Sequence, residues 1–258
     1  MNFRIKLIAT DFDGTIFQES ESPPVPLELQ EKLRSFQTDG CKWVINTGRD
    51  LLSIFEGITR AKLDVRPDFI VAVEREIYFK KNGVYEPLIE WNTKCDKLHS
   101  KLFKQLKPFL PELVRDINEQ FKVTVYSDSY SPLCIIAQDN EMMDLVCKFL
   151  NKFCEKFPGL DVMRNDVYAR FCHKDFNKGT ALSEIIRLIG AAAESVFAAG
   201  DHINDLPMLD KRVAAYIVAP SNAVDDVKKY VIAQNGFVCS KPAGEGILEA
   251  INFYSENE

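Results

Sequence analysis

Lys6-Leu7-Ile8-Ala9-Thr10-Asp11-Phe12-Asp13-Gly14-Thr15 is a short apolar run that ends on two carboxylates one residue apart. The pattern predicts a buried strand that delivers acids to a loop at its carboxyl end. Along an extended path Asp11 and Asp13 leave on one side and Phe12 on the other. Two anions this close repel each other, so the pair needs a divalent cation or a shared proton between them. Gly14 permits a sharp turn directly afterwards. Taken alone, the same residues also suit a strand running into an Asx-type turn, and the choice depends on what the rest of the chain brings to this point.

After a loop at Ser20-Glu21-Ser22-Pro23-Pro24-Val25-Pro26, Leu29, Leu33 and Phe36 recur at helical spacing. A second run, Trp43-Val44-Ile45, ends in Asn46-Thr47-Gly48-Arg49 and is followed by a helix over 50–60 with Leu51, Leu52, Ile54, Phe55 and Ile58 on one face. A third, Phe69 to Val73, runs into the charged turn Glu74-Arg75-Glu76. Strands alternating with helices predict a doubly wound parallel sheet, a Rossmann-like α/β core that binds ligands at the carboxyl ends of its strands. The rhythm then breaks. A hairpin over 77–89 is signalled by Asn82-Gly83. It is followed by a helix carrying Leu98, Leu102, Phe103 and Leu106, strands at 123–126 and 133–136, a helix over 142–157, and a strand pair around Asn165-Asp166. Residues 80–172 therefore read as an α+β domain inserted into a core of 1–79 and 173–258. From Lys178 the core pattern returns, with a helix, the strand 196–200 ending in Gly200-Asp201-His202-Ile203-Asn204-Asp205, a strand at 216–219, helices at 222–231 and 246–254, and a polar tail.

Composition narrows the function. With 46% hydrophobic and 27% charged residues, the 258-residue chain reads as globular. A net charge of -6 argues against a general nucleic-acid or anionic-membrane binder and leaves small anions open as ligands. The seven cysteines form no C-x-x-C pair and no zinc pattern, which suggests a reducing cytoplasm. No stretch has the length of a membrane span, and Arg4 and Lys6 within the opening run leave no room for a signal peptide.

Three predicted core strands end in reactive groups: Asp11 and Asp13, Thr47, and Asp201 and Asp205. Parallel strands bring their carboxyl ends to one edge of a sheet, so these groups and Lys178 converge despite their separation in sequence. So many carboxylates without a His or Cys cluster favour a hard cation, Mg²⁺ before Zn²⁺. Thr47 and the amides around Gly14 and Gly48, expected at helix starts, suit phosphate oxygens. Together the residues suit a site where a carboxylate attacks phosphorus while metal and lysine neutralise the phosphoryl oxygens.

Asp11-Phe12-Asp13-Gly14-Thr15, Thr47-Gly48-Arg49, Lys178-Gly179 and Gly200-Asp201-x-x-Asn204-Asp205 resemble, in order, the four motifs of the haloacid dehalogenase superfamily of phosphatases. About 130 residues separate Thr47 from Lys178, as in the subclass with a large α/β cap between the second and third motifs, the Cof-like and sucrose-phosphatase-like enzymes. The resemblance implies Mg²⁺-dependent hydrolysis of a small phosphorylated metabolite, such as a sugar phosphate, through an aspartyl-phosphate. Asp11 is then the nucleophile, and Asp13 protonates the leaving group and activates water. Asp11, the Asp13 carbonyl and Asp201 hold the metal, with Asp205 behind them or acting through water. Thr47 and Lys178 bind the phosphoryl group and Asn204 lies close by, while Arg49 either orients substrate or pairs with an acid. A phosphotransferase or mutase of the same superfamily is the alternative, followed by a non-catalytic phosphometabolite-binding protein.

The chain departs from many relatives after its third strand, where they place Asn-Gly and it has Glu74-Arg75-Glu76. Such a turn could touch substrate, but a charged turn is more often solvated. The stripe Lys94, Lys97, Lys101, Lys104 and Lys107 reads as the solvated face of a helix. His202 reads as a loop residue, and Cys172 and His173 mark the return to the core. Within the insert, Tyr126, Asp128, Arg164, Tyr168 and Arg170 are the candidates for specificity.

Overall fold

The computed structural model describes residues 5–256, so Arg4 of the opening run and the end of the polar tail, 257–258, lie outside the described residues. Two compact units are present, one of Met1–Leu88 with Asn177–Glu258, the other of Ile89–Phe176.

The first unit opens with β1 (Leu7–Thr10), buried along its whole length, as expected of a strand covered on both faces. Helix α1 (Leu27–Thr38) buries Leu29, Leu33 and Phe36, the predicted stripe. Strand β2 (Lys42–Asn46) runs parallel to β1 with Ile45 beside Thr10, and the indole N–H of buried Trp43 donates to the Thr10 hydroxyl at 3.2 Å. Helix α2 (Leu51–Arg60) starts after Asp50, whose carboxylate accepts the Ser53 N–H and so satisfies an otherwise unpaired amide. Strand β3 (Phe69–Ala72) is parallel to β2. Strands β4 (Glu76–Lys81) and β5 (Val84–Pro87) form the antiparallel hairpin, with Asn82 and Gly83 at positive φ in its turn. Because β4 pairs directly with β3, the whole hairpin extends the core sheet. The compact units accordingly part at 88/89 and 176/177 rather than at 79/80 and 172/173.

The second unit holds α3 (Ile89–Leu106), α4 (Leu110–Gln120), β6 (Thr124–Tyr126), β7 (Cys134–Ile136), α5 (Asn140–Cys154), β8 (Leu160–Asn165) and β9 (Tyr168–His173). Its sheet is antiparallel, in the order β6-β7-β9-β8. Leu133, Ile135, Ala169 and Phe171 share a core with Leu102, Leu106, Leu113, Ile117, Met143, Val146 and Leu150 from the helices. Helix α4 has no counterpart in the sequence reading: it buries only Leu113 and Ile117, too thin a stripe among charged residues to register as periodic. The five lysines of α3 and its end are all exposed, opposite buried Cys95, His99, Leu102 and Leu106.

The chain re-enters the first unit at α6 (Lys178–Ile189), capped by Asn177 in a reciprocal arrangement with Thr180. Strand β10 (Val196–Ala199) pairs parallel with β1, Ala199 beside Thr10. Strand β11 (Tyr216–Ala219), α7 (Asp225–Ala233), β12 (Phe237–Val238) and α8 (Ala243–Glu256) follow. Strand β12 is too short to show in a pattern. The sheet order is β12-β11-β10-β1-β2-β3-β4-β5, with β12 to β3 parallel. The chain thus moves outward in opposite directions from β1 and from β10, and the crevice between these neighbours is the topological switch point.

Gly179, in the first turn of α6, packs so closely that a Cβ there would lie 2.2 Å from the Pro207 carbonyl oxygen. Gly179→Ala is expected to destabilise the fold by about 1–3 kcal/mol through overpacking, measured as a lowered midpoint of thermal unfolding.

Candidate active site

The register of β10, β1 and β2 sets Thr10 level with Ala199 and Ile45, so Asp11, Asp201 and Thr47 leave the sheet at one edge. Lys178 enters from the first turn of α6, 1% exposed. Its ammonium donates to Asp11 Oδ1 at 2.7 Å and to Asp205 Oδ1 at 2.6 Å. Asp205, fully buried, accepts the backbone N–H groups of Asp201 and His202 on its other oxygen, both at 2.9 Å. Gly200 makes room for this carboxylate, since a Cβ there would sit 2.4 Å from Asp205 Cβ. With both oxygens engaged, Asp205 holds the ammonium and the Asp201–His202 backbone in place.

The electrostatics follow from this crowding. Burial pushes the Asp11 carboxyl well above the usual carboxylate range despite the attraction of Lys178, and Asp205 and Asp201 push it further. Asp201 is raised to about 6, first by burial and then by Asp205. Burial alone would lower Lys178, but Asp11, Asp205 and Glu74 reverse that and hold it firmly protonated. Carboxylate oxygens of Asp11, Asp201 and Asp205 lie within 4.8 Å of one another. Three acids against one ammonium, in an all-oxygen donor set, suit a hard divalent cation.

Asp201 is oriented by the Thr15 hydroxyl, which donates to its Oδ1 at 2.6 Å. Gly14, at φ +75°, brings the chain so close that a Cβ would meet Asp201 Oδ2 at 2.5 Å. The amides around Gly14 and Gly48 are not at helix starts, since α1 begins only at Leu27 and α2 at Leu51. The Gly14 N–H donates to the Phe17 carbonyl at 2.9 Å and is not offered to an anion. Thr47 is 1% exposed and its hydroxyl accepts the Arg49 N–H at 3.2 Å, which leaves the hydroxyl proton to donate.

Asp13 stands apart from the buried acids. Its carboxylate is forked by Arg49, with Nε donating to Oδ2 at 2.7 Å and an Nη donating to Oδ1 at 2.6 Å. The Arg49 guanidinium is anchored in turn: it donates to the Ser53 carbonyl and lies 5.4 and 5.8 Å from the ring centres of the stacked Phe12 and Phe17. Of the two roles left open for Arg49, the geometry shows pairing with an acid. The charged turn departs from its solvated reading: Glu74 and Arg75 are both buried, and Glu74 accepts the Asn204 side-chain N–H at 2.6 Å. Glu76 sits at the start of β4 and accepts the Tyr78 hydroxyl.

Three supporting residues escaped the sequence reading. Thr15 belonged to a quoted motif but carried no assigned role. Asn46 donates to the Lys178 carbonyl at 2.9 Å, and Asn222 donates to the Gly14 carbonyl at 2.8 Å. Asn46 and Asn222 lie too far along the chain from their partners for spacing to reveal them. In the second unit, Tyr126 and Arg170 both pair across Cys134, on the sheet face away from the helices. Arg164 is instead bound to Asp144 and Asn140, and Asp128 caps its own turn through the Tyr130 and Ser131 amides.

Acids and a lysine gathered at the switch point of a doubly wound sheet form a site suited to a cation and a small anionic ligand. The family model for haloacid dehalogenase-like hydrolases matches residues 68–251, and the chain belongs to that family. It is 25% identical over 256 residues to a phosphoglycolate phosphatase of Nitrosopumilus maritimus, covering 96% of this chain and 95% of the other. It is 24% identical to a 5-amino-6-(5-phospho-D-ribitylamino)uracil phosphatase of Bacillus subtilis, covering 97% and 96%. In fold it is similar to a sucrose-phosphatase of Synechocystis, with a TM-score of 0.72, 17% identity and coverage of 96% and 97%. The protein is a phosphatase. Among the described residues, no helix is long and apolar enough to cross a membrane.

Replacing Lys178 by Met leaves Asp11 and Asp205 buried without their cation. A loss of about 3–5 kcal/mol in unfolding free energy is expected at neutral pH. The deficit should shrink as the pH falls and Asp11, whose carboxyl is raised by burial, takes up a proton, which denaturant titrations at two pH values would show.

Proposed function

We propose that this phosphatase hydrolyses a small phosphorylated metabolite of the sugar-phosphate type, with Mg²⁺, through an aspartyl-phosphate on Asp11. The observation that carries the reading is the Lys178 ammonium bridging Asp11 and Asp205 at the switch point, with Asp201 beside them. An Asp11 carboxylate oxygen forms a bond to phosphorus as the ester P–O bond breaks, and Asp13 gives a proton to the departing oxygen. Water then attacks the phosphorus, Asp13 takes its proton, and inorganic phosphate leaves Asp11. Lys178 and the Thr47 hydroxyl bind the phosphoryl oxygens, with Asn204 close by. The Asp13 carboxylate has to leave the Arg49 fork to reach the leaving group.

Asp11, Asp201 and the Asp13 carbonyl would hold Mg²⁺, with Asp205 fixing the lysine and the Asp201 backbone. When bound, the metal offsets phosphoryl charge. The unit Ile89–Phe176 is the inserted domain, and Tyr126, Tyr168 and Arg170 are its candidates for specificity. The activities of the relatives support a small phosphate ester as substrate, and the seven free thiols suit the cytoplasm.

Asp11→Asn is expected to lower turnover of a panel of phosphate esters by on the order of 10³-fold or more. Parental activity in that variant would remove Asp11 as nucleophile. Mg²⁺ competes with protons for Asp201, whose carboxyl ionises only as the pH rises through about 6. The increase in unfolding temperature produced by MgCl₂ should therefore be larger at about pH 7.5 than at about pH 5.5.

A further inference from the structure

The turn after β3 holds two consecutive residues in the left-handed region, Val73 at φ +45° and Glu74 at φ +67°. Neither is glycine, and a β-branched residue there is a genuine outlier. Three backbone bonds impose the shape: Val73 N–H to Arg49 O at 2.8 Å, Glu74 N–H to Thr47 O at 2.9 Å, and Arg75 N–H to Ala72 O at 3.0 Å. A glycine at 74 would meet this conformation without strain. The chain places a long acidic side chain there instead, and buries it to 4% exposure.

What the side chain reaches explains the choice. Asn204 lies on the short 3₁₀ turn Ile203–Asp205 after β10. In the sheet, β1 and β2 lie between β3 and β10. The bond from Asn204 Nδ2 to Glu74 Oε1 therefore spans the ends of two intervening strands, those that carry Asp11 and Thr47. A carboxylate can only accept, so it also dictates which end of the carboxamide faces it. The gripped turn is the one that sets Asp205, and Asp205 in turn holds Lys178 and the Asp201 amide.

We propose that Glu74 is a positioning residue of the phosphatase reaction: by holding Asn204 it fixes the turn that places Asp205, Lys178 and Asp201 against the nucleophile. Its contribution is to geometry at the phosphoryl site and comes at the expense of backbone strain. Misplacement of such groups by about 1 Å is enough to cost about 100-fold in rate.

The test uses the full chain with MgCl₂ and p-nitrophenyl phosphate as the probe, and reads kcat, KM and the unfolding temperature together. Glu74→Gly should unfold at the parental temperature or higher, because strain is released, while kcat falls about 10- to 100-fold. Glu74→Gln keeps an acceptor oxygen for Asn204 while removing the charge near Lys178, so a kcat within about three-fold of the parent assigns the effect to the link and not to the charge. The double variant Glu74→Gly with Asn204→Ala should be no slower than Glu74→Gly alone, since both changes break one link. The proposal is overturned by a Glu74→Gly variant with parental kcat, by one whose unfolding temperature drops along with its rate, by Glu74→Gln being as slow as Glu74→Gly, or by additive losses in the double variant.

Discussion

A lysine ammonium buried between carboxylates is the interaction on which the rest of this site depends. Lys178 lies between Asp11 and Asp205, at 1% exposure, and neither acid could be buried there at low cost without it. The demand propagates outward. Asp205 must turn its second oxygen to the amides of Asp201 and His202, Gly200 must lack a side chain to admit it, and Asn177 must cap α6 so that the lysine enters at the right turn. The topology meets this demand because β1 and β10 are parallel neighbours at the point where the chain reverses its direction of travel.

The opening acids are divided by their surroundings. Asp11 joins the buried cluster. Asp13, two residues on, lies outside it in the fork of Arg49, itself fixed by Ser53 and by the faces of Phe12 and Phe17. Asp13 accepts two charge-assisted bonds at the edge of the site, whereas Asp11 is desolvated in place. Glu74 acts from the neighbouring loop after β3, where a strained turn carries a carboxylate across to Asn204. Rigidity at the centre is thus supported by residues of the adjacent β2 and β3 loops, which are bonded to each other.

Much of this was legible from the chain alone. Strands whose apolar runs stop on Asp11, Thr47 and Asp201, and a helix that begins at Lys178, are local patterns that survive folding because a buried strand must be apolar and its end must turn. The buried charged turn was not legible. Glu74 and Arg75 look solvated in sequence, and only Asn204, 130 residues away, shows that Glu74 is inside. Helix α4 was hidden by its two-residue stripe, and β5 was assigned outside the core because a hairpin does not announce which sheet it joins. The expectation of free amides at Gly14 failed because the tight loop uses that N–H on Phe17.

The sequence by itself therefore determined the doubly wound core, the edge at which its strands deliver acids, and the family chemistry those acids imply. It could do so because each reactive group is covalently next to the apolar run that places it. The tertiary structure alone decided which oxygens remain open. Asp205 is taken up by Lys178 and two backbone amides, Asp13 faces Arg49, Thr15 orients Asp201, and Glu74 reaches across two strands. Those outcomes depend on strand register and on contacts between residues distant in the chain, which local patterning does not encode.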